Sequence, residues 1–418
     1  MGTVGRGAGA LDVETIRKDF PLLARVVHGR PLVYLDSASS SLQPRAVLSA
    51  MEQYYETTHS NVHRGVYTTA EEATALYEGA RVAVGRFVGA PDPEREIVFA
   101  KNTTEAINLV AWSWARANLG PDDAVLVTEM EHHANLVPWL LLHERHGPQL
   151  RVLPIDDQGR LDLSDLERML DGVKLVAVSA MSNVLGTINP LRTIADAAHA
   201  AGALVLADAA QAVPHLPTDV RSLGVDFMAF SAHKMLGPTG IGALWASAGT
   251  LEAMPPFLGG GGMILDVRLD GFLPAEPPQR FEAGTPPIAE AVGFAAAVEY
   301  LEGLGMERVR AHEERLTAYA LDAIGDRLGQ DCRVFGPPAG PDRGGVLSLA
   351  YRDVHPHDLS QVLDQFGVCV RPGHHCAKPL MRRLGVSATA RASVGIYNDE
   401  GDVDTLIEGL EEARRLFG

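Results

Sequence analysis

The chain has 418 residues, 46% of them hydrophobic and 21% charged; that is ordinary globular composition, at a length that asks for two domains. A formal net charge of −17 argues against nucleic-acid binding, which wants a basic face. Three cysteines cannot build a disulfide framework and point to a reducing compartment.

Along the chain, the glycine-rich start over residues 1–12 is expected to be a disordered tail without the apolar stretch of a signal peptide. The longest apolar stretches, such as 136–142, fall far short of a membrane span. A soluble, cytoplasmic protein that binds neither membrane nor nucleic acid is expected. A helix over 13–20, within an N-terminal segment 13–30, is expected to pack on the smaller domain. Apolar, β-branched runs at 124–128, 150–155, 174–179, 203–207, 226–230 and 242–246 read as strands of a sheet covered on both faces. Between them, 163–170 reads as a helix capped by Ser164, and 191–201 as a helix closed by Gly202. The alternation predicts an α/β fold with a mostly parallel sheet over a large domain, 31–287. Its last part, 259–287, carries Gly259 to Gly262 and several prolines and reads as a long loop. Helices at 289–304, 308–328, 356–366 and 403–416, with strands at 345–350 and 390–397, predict a smaller α+β domain over 288–418.

The chemistry concentrates at the ends of these runs. Cys376 stands in Arg371-Pro372-Gly373-His374-His375-Cys376, a polar loop with two imidazoles. Such surroundings favour a thiolate, which is the nucleophilic form, whereas an idle cysteine is usually buried core. Lys234 follows the strand ending at Phe230, in Ser231-Ala232-His233-Lys234. A lysine desolvated there is suited to a Schiff base; alone it would read as a turn lysine. Asp208 ends another strand, where it can pair with a protonated pyridine nitrogen, and Gln211 can meet a ring hydroxyl. Thr103 and Thr104 open a helix expected from Ala106 and suit a phosphate, with Ser231 and His233 as further donors. His132, in Glu131-His132-His133-Ala134-Asn135, can stack on a flat ring and shuttle protons. No further cluster at ligand spacing accompanies it, so no metal is expected. Asn183 can hydrogen-bond a substrate carboxylate or a ring oxygen. Arg391 is suited to clamp a carboxylate, with Arg371 as the lesser candidate. Each residue alone also has an ordinary structural explanation. At successive strand ends they compose a pyridoxal-phosphate site.

The chain resembles the class V pyridoxal-phosphate enzymes, and among them the Suf-type (group II) cysteine desulfurases. The resemblance rests on Tyr34-Leu35-Asp36-Ser37-Ala38, Val62-His63-Arg64-Gly65, Thr103-Thr104-Glu105, residues 131–135, Ser182-Asn183-Val184-Leu185-Gly186, Asp208 with Gln211, His233-Lys234, Arg280 to Pro286 and the short loop 371–376. It covers the chain after about residue 12. It implies fold type I, a homodimer and pyridoxal 5'-phosphate bound through Lys234. L-cysteine becomes the substrate, Cys376 the residue that carries a persulfide, and a SufE- or SufU-like protein the sulfur acceptor, for iron–sulfur cluster assembly or related delivery. It further implies that His132 stacks on the ring, that Asp208 and Gln211 contact it, and that Thr104, Ser231 and His233 hold the phosphate with Thr285 of a second subunit. Asn183, Arg371 and Arg391 are implied as carboxylate contacts, with His63 and Arg64 at the mouth of the site. Asn102, Ala209 and Ala232 stand where the family commonly has glycine. Rival readings are a selenocysteine lyase or another carbon–sulfur lyase, an aminotransferase in which Cys376 is incidental, and a catalytically silent scaffold. Cys332 and Cys369 receive no role, with core packing the default for Cys369.

Overall fold

Strands that are apolar along their whole length need cover on both faces, and the central ones here have it, whereas the edge strand Gln149–Leu153 leaves Val152 exposed. The structure, a computed structural model, describes residues 10–417. Seven strands share one sheet: β1 (Ile97–Ala100), β2 (Ala124–Thr128), β3 (Gln149–Leu153), β4 (Val173–Ser179), β5 (Leu204–Asp208), β6 (Phe227–Ser231) and β7 (Gly242–Ala246). Their order is β1-β7-β6-β5-β4-β2-β3. β3, β2, β4, β5 and β6 run parallel, while β7 is antiparallel to both its neighbours. Side chains alternate between two cores. Leu126, Val176 and Val205 face one, with the helices Arg45–Thr57, Thr68–Phe87, Leu191–Ala200 and Ile288–Leu304. Val125, Val127, Leu175 and Leu206 face the other, with Thr103–Leu109 and Val137–His146.

The predicted long loop over 259–287 contains a hairpin, β8 (Ile264–Arg268) and β9 (Gly271–Pro274). Its apolar side chains Leu265, Val267, Phe272 and Leu273 are exposed, so no burial pattern marks it among the glycines and prolines. The predicted helix 163–170 shrinks to one turn, Leu166–Met169. Ser164 does not cap it; its own N–H is taken by Asp162 Oδ1 at 3.0 Å. Gly202 does close the helix Leu191–Ala200 in the left-handed conformation, at φ +78°.

A second sheet holds β10 (Cys332–Phe335), β11 (Val346–Tyr351), β12 (Arg371–Gly373) and β13 (Thr389–Ser393) in the antiparallel order β10-β11-β13-β12. The predicted strand 390–397 therefore ends at Ser393. Two segments cross the expected boundaries. Val33–Tyr34 pairs in parallel with Val368–Cys369 as a separate two-stranded sheet, and Val33 joins the core that packs on the smaller sheet. Helix Ile288–Leu304 packs on Arg45–Thr57 and Thr68–Phe87, beside the larger one. Most of the expected tail, residues 1–9, lies outside the described residues. Leu11 is already buried, and Asp12 caps the helix Val13–Lys18 through Thr15 N at 3.1 Å. Arg17 on that helix reaches the carbonyl of Tyr397 and the carboxylate of Asp402, both at 2.7 Å. Phe20 meets Tyr300 of the larger unit and Tyr397 of the smaller.

One buried ion cluster fixes the segment after the hairpin. Arg81 is fully buried and meets Glu282 through Nη1 at 2.6 Å and Nη2 at 2.9 Å. Tyr77 and the N–H of Phe99 also donate to Glu282. Removing one partner of a buried pair strands the other charge. Arg81→Ala is expected to lower stability by about 3–5 kcal/mol, read as a fall in the urea midpoint. Adding Glu282→Gln should recover part of that loss; no recovery would mean that the stranded carboxylate is not the cause.

Candidate active site

The parallel strands point their carboxyl ends at one cavity, which lies between the two sheets. Asp208 ends β5, Ser231 ends β6 and Lys234 lies three residues beyond, so the strand ends bring all three together. The same cavity is lined by Thr103, Thr104, His132, Asn183, Gln211 and His233 from the larger unit. The smaller unit supplies Arg371, Cys376 and Arg391. Twelve of the fifteen expected site residues thus share one cavity. His63, Arg64 and Thr285 do not. They line a second cavity together with Gly261, Gly262 and Gln279.

Burial sets the protonation states. Desolvation pushes the Lys234 ammonium down to about 8, although the Asp208 carboxylate opposes the shift. The Asp208 carboxyl is raised by its own burial, with Lys234 and the N–H of Ala210 pulling the other way. His132 is lowered to about 3 by burial and then by the Lys234 charge. Its Nδ1 accepts from Ala134 N at 3.0 Å, so the neutral ring carries its proton on Nε2. His233 is lowered to about 4, again chiefly by burial.

At the foot of the cavity Asn102 caps the helix Thr103–Leu109, accepting from Glu105 N at 3.0 Å. Thr103 donates its N–H to Ser231 Oγ at 2.8 Å, and the two hydroxyls meet at 2.6 Å. Gln211 donates to the carbonyl of Ala38 at 2.7 Å. Its Oε1 is buried with no partner among the described residues.

The Cys376 loop is four residues long, 374–377, between β12 and the helix Lys378–Arg383. His375 and Cys376 both adopt left-handed backbone, at φ +49° and +55°, a conformation that side chains with a Cβ disfavour. The larger unit holds the loop in place. His133 N donates to the Cys376 carbonyl at 2.7 Å, and His133 Nε2 accepts from Lys378 N at 3.1 Å. Asn183 Nδ2 donates to the His375 carbonyl at 2.8 Å. Arg391 Nη1 returns to the Asn183 carbonyl at 3.0 Å. Asn183 therefore lines the cavity, with its amide donor already engaged by the loop.

Four residues were given no role in the sequence reading. Ser39 and Asp36 contact Arg391, at 2.7 and 3.3 Å. Asp36 stands in the quoted segment 34–38 and Ser39 directly follows it, but only the fold brings them to Arg391. Glu131 precedes His132 and is fully buried. It accepts from Thr128 Oγ1, Asn135 Nδ2 and both the N–H and hydroxyl of Ser179. Burial lifts its carboxyl to about 7 despite those donors. His375 is buried against Thr389, at 2.8 Å, and is lowered to about 3 chiefly by burial.

The model of the family described as aminotransferase class-V matches residues 33–406. This chain belongs to that family. The probable cysteine desulfurase of Streptomyces coelicolor is 49% identical over 416 residues, covering 98% of this chain and 99% of that protein. The cysteine desulfurase of Haloferax volcanii is 47% identical, with 97% and 98% covered. The cysteine desulfurase from Thermococcus onnurineus, solved in its apo form, superposes with a TM-score of 0.91 at 40% identity over 96% of this chain and 97% of that one. The fold is that of the fold type I pyridoxal-phosphate enzymes, and class-V members use that cofactor. The class-V site present here fits it. The open acceptor Gln211 Oε1 suits a ring hydroxyl, the neutral face of His132 suits a flat ring, and the Asp208 carboxylate suits a protonated pyridine. Among the described residues no cluster suited to a metal ion occurs, and no helix is long and apolar enough to cross a membrane.

The depressed histidines link this site to stability. His375 has an ordinary value of 6.5 when unfolded and about 3 when folded. Between those values the unfolded chain binds a proton that the folded chain does not, so stability falls as pH falls from 6.5 towards 3. One such group contributes a slope of about 1.4 kcal/mol per pH unit inside the window. His375→Gln should flatten the acid limb of the stability curve by up to one proton; an unchanged limb would place the His375 proton elsewhere.

Proposed function

We propose that the protein is a Suf-type cysteine desulfurase that converts L-cysteine to L-alanine and takes the sulfur as a persulfide on Cys376. The observation that carries this reading is that Cys376 faces the same cavity as Lys234, Asp208, His132 and Arg391. An aminotransferase needs no thiol there.

Pyridoxal phosphate, when bound, supplies an electron sink for the bonds at the substrate's α-carbon. Lys234 would hold the cofactor and Asp208 would keep its pyridine nitrogen protonated. Thr103, Thr104, Ser231 and His233 would take its phosphate, and Gln211 its ring hydroxyl. His132, neutral at working pH, would cover the ring. Arg391, with Arg371 and Asn183, would bind the substrate carboxylate. Lys234, drawn down to about 8, is poised to accept the α-proton in its free-base form. The Cys376 thiolate then attacks the substrate sulfur. The S–S bond forms as the C–S bond breaks, and the electron pair stays with the substrate carbon, which is protonated to give L-alanine.

The reading includes a homodimer. His63, Arg64 and Thr285 sit apart from the main cavity, which supports a role for them in the site of a second copy. It also includes an acceptor that comes to the thiol. A four-residue loop tied to His133 and Asn183 does not carry Cys376 far, so a SufE- or SufU-like protein in the same cytoplasmic compartment would collect the sulfur. Iron–sulfur cluster assembly is the destination this reading favours.

The test is release of L-alanine and sulfide from L-cysteine under reductant. Wild type should give equal amounts of both. Cys376→Ser should retain the cofactor absorbance and lose both products by at least about a hundredfold, the scale on which removal of a catalytic group acts. Normal turnover in that variant would refute the role of Cys376. An acceptor protein should speed the wild-type enzyme, and equal rates with and without one would remove the transfer step.

A further inference from the structure

Arg371 and Arg391 are direct cross-strand partners on β12 and β13. Like charges at facing positions repel. Arg391 is 2% exposed while Arg371 is exposed, so water reaches one guanidinium of the pair and not the other. Burial draws its guanidinium down to about 10; Asp36 opposes that fall, and Arg371 adds to it.

One hydroxyl lies between them. Ser39 Oγ accepts from Arg371 Nη1 at 2.8 Å and from Arg391 Nη2 at 2.7 Å, and donates to Asp36 Oδ1 at 2.6 Å. A serine hydroxyl has one proton and two lone pairs, and all three are used. Asp36 Oδ1 meets Arg391 Nη2 more distantly, at 3.3 Å. The Asp36 carboxylate therefore meets the arginine pair twice, directly at Arg391 and through the Ser39 hydroxyl. Arg391 Nη1 is taken by the Asn183 carbonyl, while Nε is buried and has no partner among the described residues. Ser39 lines the cavity beside both arginines. With no hydroxyl at this position the two guanidiniums would lose their common acceptor, and Arg391 would be drawn towards Asp36. With a carboxylate there, their charge would be cancelled before any substrate arrived.

We propose that Ser39 is a positioning residue for the substrate's α-carboxylate: it fixes the spacing of Arg371 and Arg391 and leaves their positive charge available to the cavity. The proposal rests on the amino-acid substrate assigned above, and it concerns binding rather than desulfuration.

The test uses a matched pair of amines, L-alanine and ethylamine, which differ by the carboxylate. Each is titrated into the holoenzyme and read by the cofactor absorbance. Ser39→Ala is expected to weaken L-alanine about tenfold, which is ~1.4 kcal/mol, and to leave ethylamine unchanged. The KM for L-cysteine should rise by a similar factor with kcat little altered, and Ser39→Thr, which keeps the hydroxyl, should restore both. Ser39→Asp should lose L-alanine and keep ethylamine, and it decides the matter should Ser39→Ala not fold. Unchanged L-alanine affinity in the Ala or Asp variant, or equal losses for both amines, would overturn the proposal. A wild type that binds L-alanine but does not desulfurate L-cysteine would overturn the assigned reaction and leave the role of Ser39 standing.

Discussion

Asn183 is held from both sides, and the site depends on it. Its carbonyl accepts from Arg391 and its amide donates to the His375 carbonyl. One residue on a loop after β4 thereby fixes both the arginine on β13 and the loop that presents Cys376. Around it the contact between the units is dense. Ser348 on β11 donates to the Val184 carbonyl at 2.6 Å. Gly344 N donates to the Gly186 carbonyl at 2.7 Å. Gly186 itself is left-handed, at φ +68°, and a Cβ there would approach the Gly344 carbonyl to 2.9 Å. The loop can lie this close to the smaller unit because position 186 has no side chain.

Desolvation governs the chemistry more than any single ion pair does. The same burial that lowers the lysine keeps three imidazoles neutral around it, with His132 and His375 at about 3 and His233 at about 4. Each imidazole that remains uncharged spares Lys234 a further positive neighbour. Charge of positive sign is concentrated instead on the guanidiniums of Arg371 and Arg391. The cavity is thus divided into a side lined by neutral imidazoles and a side lined by two guanidiniums.

Much of this was legible in the sequence, for physical reasons. Strands buried on both faces announce themselves as unbroken apolar runs, and polar residues directly after such runs must emerge at the carboxyl edge of the sheet. That rule alone gathered Asp208, Ser231, His233, Lys234 and Asn183. The hairpin at 264–274 stayed hidden because its apolar residues are exposed and glycines flank it. The expected helix at 163–170 keeps only one turn, Leu166–Met169, with no side chain capping it. Periodicity says what an element is and not which neighbour it buries against, so the packing of helix Ile288–Leu304 beside the larger sheet and the pairing of Val33–Tyr34 with Val368–Cys369 come from the structure alone. Ser39 and Asp36 escaped notice for the same reason: their partners are far away in the chain.

That distance has a consequence for how the enzyme comes into being. The contacts of Asp36 and Ser39 with Arg391 join residues 355 and 352 positions apart, and the strand carrying Tyr34 waits for Val368–Cys369 before it has a partner. Chains emerge from the ribosome amino end first. Lys234, Thr103 and Thr104 are made long before Arg391, and the Cys376 thiol arrives only fifteen residues ahead of that arginine. A chain that stops before residue 371 lacks Arg371, Cys376 and Arg391, three of the residues that line the cavity. The cavity that gathers residues from both ends of the sequence is therefore complete only with the near-complete polypeptide.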